Sequence, residues 1–349
     1  MHPVRVAVIL LNYRDYAERF LTECYASLER QTYPRERFTV FVVNNAATES
    51  GGALVRRLAR WARLIENREN LGWAGGNNRA IAVALSGGFD AVVLMNIDTV
   101  AEREWLSELV AAAASPGVHI LQSVILLHGT DRINSLGNLI HFLGYGYCHG
   151  YDHRLGEVKP EPLHFASGAA MLVKREVFER VGLFREEYFL YYEDMEFCWR
   201  ARLAGFRVGL AERSVCHHKY DFSGKIDQLY LLERNRLLTL FTLERKRTLL
   251  LTLPCLIAAQ LLSGVYFWFK GYGNVMGRML AYFSRPGVWK WIIRKRREVG
   301  RFRKTADREI VGRFKGQIVF AEVRHPALLY VLNPLLRAYW AVIRPLIFW

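Results

Sequence analysis

Residues 91–98 read Ala-Val-Val-Leu-Met-Asn-Ile-Asp: a continuous apolar run, then Asn96 and Asp98. A short apolar run bounded by polar residues fits a strand buried on both faces. Val4–Asn12 repeats the pattern, ending at Asn12, and Phe38–Val43 runs into Asn44-Asn45. Arg63-Leu-Ile-Glu-Asn67 is a third, shorter strand candidate. Helical patterns separate these runs: at about 16–30, with Phe20, Leu21, Cys24 and Leu28 on one face, near 51–63, and from the loop 70–78 to about Ser86. Strands alternating with helices imply an α/β chain, with a Rossmann-like, mostly parallel sheet covered on both faces. Ligands of such sheets bind outside the carboxyl ends of the strands, where Asn12, Asn44, Asn45, Asn96 and Asp98 all fall. Residues 119–170 read as shorter strands and irregular loops, and a helix near 174–181 follows.

Charge divides the chain. Residues 270–349 hold 17 Lys/Arg against 4 Asp/Glu, a net +13, while residues 1–269 hold 31 against 29, a net +2. The expected organisation is a near-neutral domain at 1–245 and a basic, apolar helical region at 246–349. With 52% hydrophobic and 23% charged residues a large core is available and disorder is excluded. The five cysteines show no paired spacing, which argues against a zinc knuckle or disulfide framework and fits a reducing compartment. The apolar run at Val6–Leu11 is too short for a signal peptide.

Four stretches carry chemistry. A carboxylate at a strand end, Asp98, suits a Mg²⁺ or Mn²⁺ that also grips a diphosphate; a plain turn residue is the other reading. In Val215-Cys-His217-His218 a histidine past a strand suits Mn²⁺ as a nitrogen donor, or has a structural role. The glycine-rich loop Asn70-Leu-Gly-Trp-Ala-Gly-Gly-Asn-Asn78 opens a helix. Its amides can approach an anion or sugar, or the loop is a tight turn needing positive φ at Gly72 or Gly75. Finally, Tyr188-Phe-Leu-Tyr-Tyr-Glu-Asp-Met-Glu-Phe-Cys puts three carboxylates, Glu193, Asp194 and Glu196, at a helix start among aromatics. Aromatic walls exclude water and raise a carboxyl's pKa toward that of a useful base. The alternative is that the acids complement a helix dipole.

The order Asn12, Asn44-Asn45-Ala, Asn70-x-Gly72-x-x-Gly75-Gly-Asn-Asn78, Met95-Asn-x-Asp98, Ser167-Gly-Ala-Ala-Met, Glu193-Asp194-x-Glu196 and Val-x-His217 resembles family 2 glycosyltransferases of the GT-A fold. It is most similar to their bacterial rhamnosyltransferase branch, in which Tyr230-x-x-x-Arg234-Asn235-Arg236 also recurs. The resemblance covers about residues 4–240. It implies an inverting, metal-dependent transfer from a nucleotide-diphospho sugar, a dTDP-rhamnose or UDP-sugar. Asp98 and His217 would hold the metal, Mg²⁺ or Mn²⁺. Asp194 would be the base, with Glu193 its rival and Glu196 a scaffold acid paired with Arg200 or Arg202. Asn12, Tyr13, Asn44, Asn45, Asn70, Gly72, Trp73, Gly75, Asn78, Asn96 and Asp98 would line the nucleotide-sugar site. Two positions depart from the pattern: Asn96 and Asn44 stand where relatives often carry Asp. An amide at 44 both donates and accepts, so it can still pair with uracil or thymine.

Residues 248–269 contain no charge, and that length permits a membrane-crossing helix. A crossing would export the basic residues against the positive-inside tendency. Helices lying in the interface, with Trp268, Trp289, Trp291, Trp340 and Trp349 at headgroup level, fit better. Arg294-Lys-Arg-Arg297, Arg301, Arg303 and Lys304 would then meet anionic lipid, and a nucleic-acid role is disfavoured by the flanking apolar runs. The expected site of action is the cytoplasmic face of the cell membrane, with a lipid-linked saccharide as acceptor. A buried core or dimer helix at 248–269, and a binding protein that kept the fold but lost catalysis, are the alternatives; oligomeric state is left open.

Overall fold

The computed structural model describes residues 4–219, 226–319, 326 and 328–349. They form two compact units: Met1–Asn138, Cys148–Ala201 and Phe206–Asp221 make the first, and Leu139–Tyr147, Arg202–Gly205 and Phe222–Trp349 the second. Residue 245 falls inside the second unit, between its first two helices.

In chain order the first part of the molecule runs β1 (Val6–Arg14), α1 (Thr22–Glu29), β2 (Phe38–Ala47), α2 (Glu49–Leu58), β3 (Arg63–Asn67), α3 (Gly72–Ser86), β4 (Ala91–Asn96), β5 (Thr99–Ala101) and α4 (Trp105–Ala113). It continues through β6 (Ile120–Leu127), β7 (Ile133–Ser135), β8 (Asn138–Ile140), β9 (Gly146–Cys148), β10 (Ala170–Lys174), α5 (Arg175–Val181), α6 (Glu193–Leu203) and β11 (Val208–His218). The main sheet is ordered β3-β2-β1-β4-β10-β6-β11-β5, with β7 beside β6. β1 lies between parallel β2 and β4, and every side chain from Val6 to Leu10 is fully buried. Burying a Val, Ile or Leu contributes about 1.5–3 kcal/mol, so this strand anchors the unit.

Most strands of the sheet run one way, as expected, and the sheet is mixed because β10, β7 and β5 run against their neighbours. β3, β2, β1 and β4 form one parallel run and β6 pairs parallel with β11, while β10 is antiparallel to both β4 and β6. Parallel neighbours need a crossover, usually a helix, to return the chain to the same edge. No helix occurs between β6 and β10, so β10 enters from the opposite end.

The second unit contains α7 (Ile226–Leu243), α8 (Lys246–Phe269), α9 (Gly273–Phe283), α10 (Pro286–Phe302), α11 (Asp307–Ile310) and α12 (Asn333–Ile343). Among the described residues α8 is the one helix long and apolar enough to cross a membrane, and it is mostly exposed. Its start is tied down by Asp307, whose carboxylate accepts from Arg245 N (2.9 Å) and Thr248 Oγ1 (2.5 Å). α10 is two-faced. Val288, Ile292, Val299 and Phe302 are buried, while Lys290, Arg294, Arg297 and Arg301 are exposed at helical spacing. Two of the cations expected to face lipid turn inward. Arg303 pairs with Asp307 and donates to Leu243 O, and Arg296 donates to Phe241 O. Buried carbonyls at the end of α7 need donors, and these guanidinium groups supply them.

Candidate active site

The strand ends of the first unit carry a connected set of amides. Asn12, fully buried, donates through Nδ2 to Asn44 Oδ1 (2.8 Å) and accepts from Ala17 N (2.9 Å). Asn44 in turn donates to Glu66 Oε1 on β3 (3.1 Å), which also meets Arg56 (3.3 Å). Tyr13 follows at the rim, beneath the Arg14 guanidinium and edge-on to Tyr16.

The glycine-rich loop is closed by the protein itself. Asn45 accepts from Leu71 N (3.1 Å) and donates to Asn70 Oδ1 (3.0 Å) and Gly72 O (3.2 Å). Asn70 Oδ1 takes Gly72 N (2.9 Å). The next two amides, Trp73 N and Ala74 N, both donate to Phe189 O. All four leading amides are therefore satisfied within the unit, which favours the tight-turn reading of the loop over amides that meet an anion. Gly72 has φ +70°, and a Cβ there would lie 2.3 Å from Phe189 O, so the turn requires glycine. Gly75 has an ordinary φ; it is small because a Cβ would lie 2.8 Å from Leu71 Cβ. Asn78 is also turned inward, donating to Phe184 O (2.8 Å) and accepting from Phe184 N (3.1 Å). It fixes the segment before α6 and is not aimed at the strand ends.

That segment is strained. Phe189, Tyr191 and Tyr192 all have φ between 63° and 70°, a conformation costing about 1–3 kcal/mol for each such residue. The turn carries Phe189 O onto α3 and delivers α6 to the sheet. Asp194 Oδ2 there accepts from Gly168 N (3.1 Å) and its Oδ1 from Met195 N (2.7 Å). Gly168 sits under Trp73, where a Cβ would approach the indole to 2.5 Å, and Trp73 Nε1 donates to Asn96 Oδ1 (3.3 Å). Trp73, Asn96, Gly168 and Asp194 are thus joined in one chain of contacts. Gln122, fully buried, holds the same loop by accepting from Ser167 N (2.7 Å) and Asn138 Nδ2 (3.1 Å).

Burial raises the Asp194 carboxyl above the ordinary range, partly offset by its backbone donors. Glu193 is raised further, by burial and then by the Asp194 charge; it is buried and its Oε2 has no hydrogen-bond partner among the described residues. Asp194 stays partly exposed. Glu196 is a scaffold acid: it pairs with Arg185 (2.9 Å) and Arg200 (3.0 Å) in full burial, and Arg202 is not needed.

The histidine expected beside Asp98 is the wrong member of its pair. His217 Nε2 faces Glu102 Oε1 (3.2 Å), whereas His218 Nε2 lies 3.2 Å from Asp98 Oδ1. Successive side chains of a strand point to opposite faces, so only one can reach Asp98. Pairing of β11 with β5 sets His218 opposite Thr99, next to Asp98. His218 Nδ1 meets Asn134 Oδ1 (3.0 Å), which directs Nε2 at the carboxylate. His218, Asn134, Glu66, Gly168 and Gln122 were not singled out as site residues by sequence reasoning. The doubled His217-His218 and the Glu66 following the β3 apolar pair were the available signals.

Residues 6–182 match the family described as Glycosyl transferase family 2. The chain belongs to this family. It is a glycosyltransferase with a GT-A fold. Over 219 residues, 58% of this chain and 69% of the relative, it is 28% identical to the low-salt glycan biosynthesis hexosyltransferase Agl10 of Haloferax volcanii. Over 90 residues it is 32% identical to an N-acetylglucosaminyl-diphospho-decaprenol L-rhamnosyltransferase of Mycobacterium tuberculosis; the match spans 26% of this chain and 29% of that one. Among solved structures, it resembles the mannosyltransferase PcManGT of Pyrobaculum calidifontis in complex with GDP-Man and Mn²⁺ (TM-score 0.50, 19% identity, 86% of each chain). It also resembles GalNAc-T7 with UDP, GalNAc and Mn²⁺ (TM-score 0.53, 12% identity, 69% of this chain and 48% of that one). At these identities the structural likeness speaks for the fold.

Proposed function

We propose that this transferase moves a sugar from a nucleotide-diphospho sugar, of the dTDP-rhamnose or UDP-sugar class, to a hydroxyl of a lipid-linked saccharide, with inversion. The observation that carries the reading is Asp194: a partly exposed carboxylate, oriented by two backbone amides, its pKa raised by burial, and linked through Gly168 and Trp73 to the β4 end. In a single displacement the acceptor hydroxyl gives its proton to Asp194 while its oxygen bonds the anomeric carbon. The bond from that carbon to the diphosphate oxygen breaks, and the nucleoside diphosphate leaves with the electron pair. Among the described residues one carboxylate is placed as the base, with no second positioned as nucleophile, which favours inversion over a covalent intermediate. Burial and the Asp194 charge together hold Glu193 toward its neutral form, so Asp194 is the member of the pair that carries the charge of a base. Asn12 orients Asn44 at the β2 end, and Glu66 adds beside it the acceptor that Asn44 lacks as a carboxylate, suited to a nucleobase N–H.

Asp98 and His218 fit a divalent cation, Mg²⁺ or Mn²⁺: a carboxylate oxygen and a ring nitrogen converge, and Asn134 holds the ring. When bound, the cation supplies positive charge against the diphosphate. The second unit would work at the cytoplasmic face of the membrane, its exposed apolar helices in the interface and the α10 cations on anionic lipid. The named substrate of the mycobacterial relative, a diphospho-decaprenol, supports the lipid-linked acceptor.

The test is transfer with purified Asp194→Asn, donor and acceptor supplied. Turnover should fall about 10²–10⁴-fold; near-normal turnover removes Asp194 from the role. EDTA should abolish wild-type transfer, and full activity in EDTA would remove the cation.

A further inference from the structure

We propose that the Glu244 carboxyl is a proton-operated latch on the joint between α7 and α8. Glu244 and Arg245 alone connect these helices, so the joint has little slack. Both helix ends are held from outside. At the end of α7, Arg296 of α10 donates to Phe241 O, and Arg303 of the same helix donates to Leu243 O. At the start of α8, Arg245 makes no side-chain cap. Asp307 of α11 stands in for one, taking Arg245 N (2.9 Å) and Thr248 Oγ1 (2.5 Å). Arg303 also pairs with Asp307 (2.5 Å), which ties the two ends together.

Glu244 is buried in this cluster, and among the described residues neither of its carboxyl oxygens has a hydrogen-bond partner. A buried carboxylate without donors is strongly disfavoured; a neutral carboxyl costs far less. The charged groups facing it are Asp307 from α11 and Arg296 and Arg303 from α10, while α8 meets the cluster through the Thr248 hydroxyl. Burial first, then Asp307, raise the carboxyl well above the ordinary range against the two guanidinium groups. Once ionised, Glu244 needs N–H donors, and the facing ones already serve the α7 carbonyls and Asp307. Bonds to a charged acceptor are about twice as strong as those to a neutral one, so ionised Glu244 draws the guanidinium groups from Phe241 O and Leu243 O. With its proton the joint is closed; without it the end of α7 loses its caps. The closed joint is therefore present below the ordinary carboxylate range and is lost as pH rises through the raised value. What the joint holds is the start of α8, a helix that is mostly exposed. Further along, Tyr339 donates to Leu251 O (2.6 Å) and Gln260 to Glu233 (3.0 Å), which confines the effect to the first turns.

The test is hydrogen exchange of the full chain at the amides of residues 249–252, from about pH 5 to about pH 9, corrected for the intrinsic rate. Wild-type protection there should fall about tenfold across the range, while amides in the middle of α9 keep theirs. Glu244→Gln, neutral at every pH, should hold the acid-side protection throughout. Arg296→Gln leaves Phe241 O without its guanidinium and should lower protection already at the acid end, with a smaller further fall on the way up. A flat wild-type profile overturns the proposal, as does a Glu244→Gln profile that follows the wild type. An equal fall at the α9 amides does so too, since it would mean a general loss of stability rather than an opened joint. Should Glu244→Gln fail to fold, the wild type and Arg296→Gln still decide.

Discussion

The two units treat apolar surface in opposite ways. Among the described residues of the first unit, the large apolar side chains left exposed are Val83 and Leu155. In the second unit they run along α8 from Leu250 to Phe269 and recur on α9, α10 and α12. Exposed apolar surface is therefore concentrated in the second unit. Both units bury carboxyls, but for different ends. Glu193 is raised by burial and by Asp194, at the centre of the site; Glu244 is raised by burial and by Asp307, against the opposing charges of Arg296 and Arg303, where helices meet. The same physics acts at the proposed site in one unit and at a helix junction in the other.

The comparison breaks first at Asp194. The loss of turnover expected for Asp194→Asn should leave vesicle binding untouched, because only the first unit is altered. A joint loss of both would erase the division of labour. Next come the histidines: His218→Ala should cost at least as much cation affinity as loss of a supporting partner does, about 10–100-fold, read as the Mn²⁺ concentration for half-maximal transfer. His217→Ala, on the opposite face, should leave that concentration near wild type; the reverse order would return the role to His217. In the second unit, replacing Arg294, Arg297 and Arg301 by Gln should weaken binding to anionic vesicles by about 1 kcal/mol per residue, with turnover on a soluble acceptor retained. Unchanged flotation would remove α10 from the interface.

The smallest effect sharpens the two buried glutamates. Both have raised pKa values, so the stability they contribute is present below the ordinary carboxylate range and is lost as pH rises through the raised values. A permanently neutral Gln should then raise the melting temperature at neutral pH, by on the order of 1 kcal/mol or about 2–4 °C, with the gap closing toward acid pH. Thermal melts of Glu193→Gln and Glu244→Gln across pH measure it. Only Glu193→Gln should also alter the pH profile of transfer, which in the wild type should fall, on acidification, at a pH above the ordinary Asp range.

Much of the first unit was legible in order. The apolar runs at β1, β2 and β4 and their polar ends stand where the pattern puts them, because a strand buried on both faces leaves a continuous apolar record. The antiparallel entry of β10 was not legible, since strand direction depends on the whole path from 128 to 169. Within the site, the doubled histidine at 217–218 named the chemistry and left the face open; a one-residue difference in a strand reverses the side chain. The loop at Asn70 and Gly72 stayed open between a ligand loop and a tight turn because nothing local announces that Phe189 O will take the helix amides. Arg296 and Arg303 read as lipid-facing for the same reason: a charge run does not record which carbonyl each member meets.

The sequence by itself determined the alternation of strands and helices, the residue types gathered at the strand ends, the acids at the start of α6 and the concentration of basic and apolar residues after 245. These follow from local pattern and composition, which a linear chain carries directly. Only the tertiary structure decided that His218 is the residue beside Asp98, that Asp194 is more accessible than Glu193, that Asn45 and Asn78 tie loops and that Glu66 joins Asn44. Each of those outcomes depends on which distant backbone group is left needing a hydrogen bond, and that is settled only when the strands have taken their register.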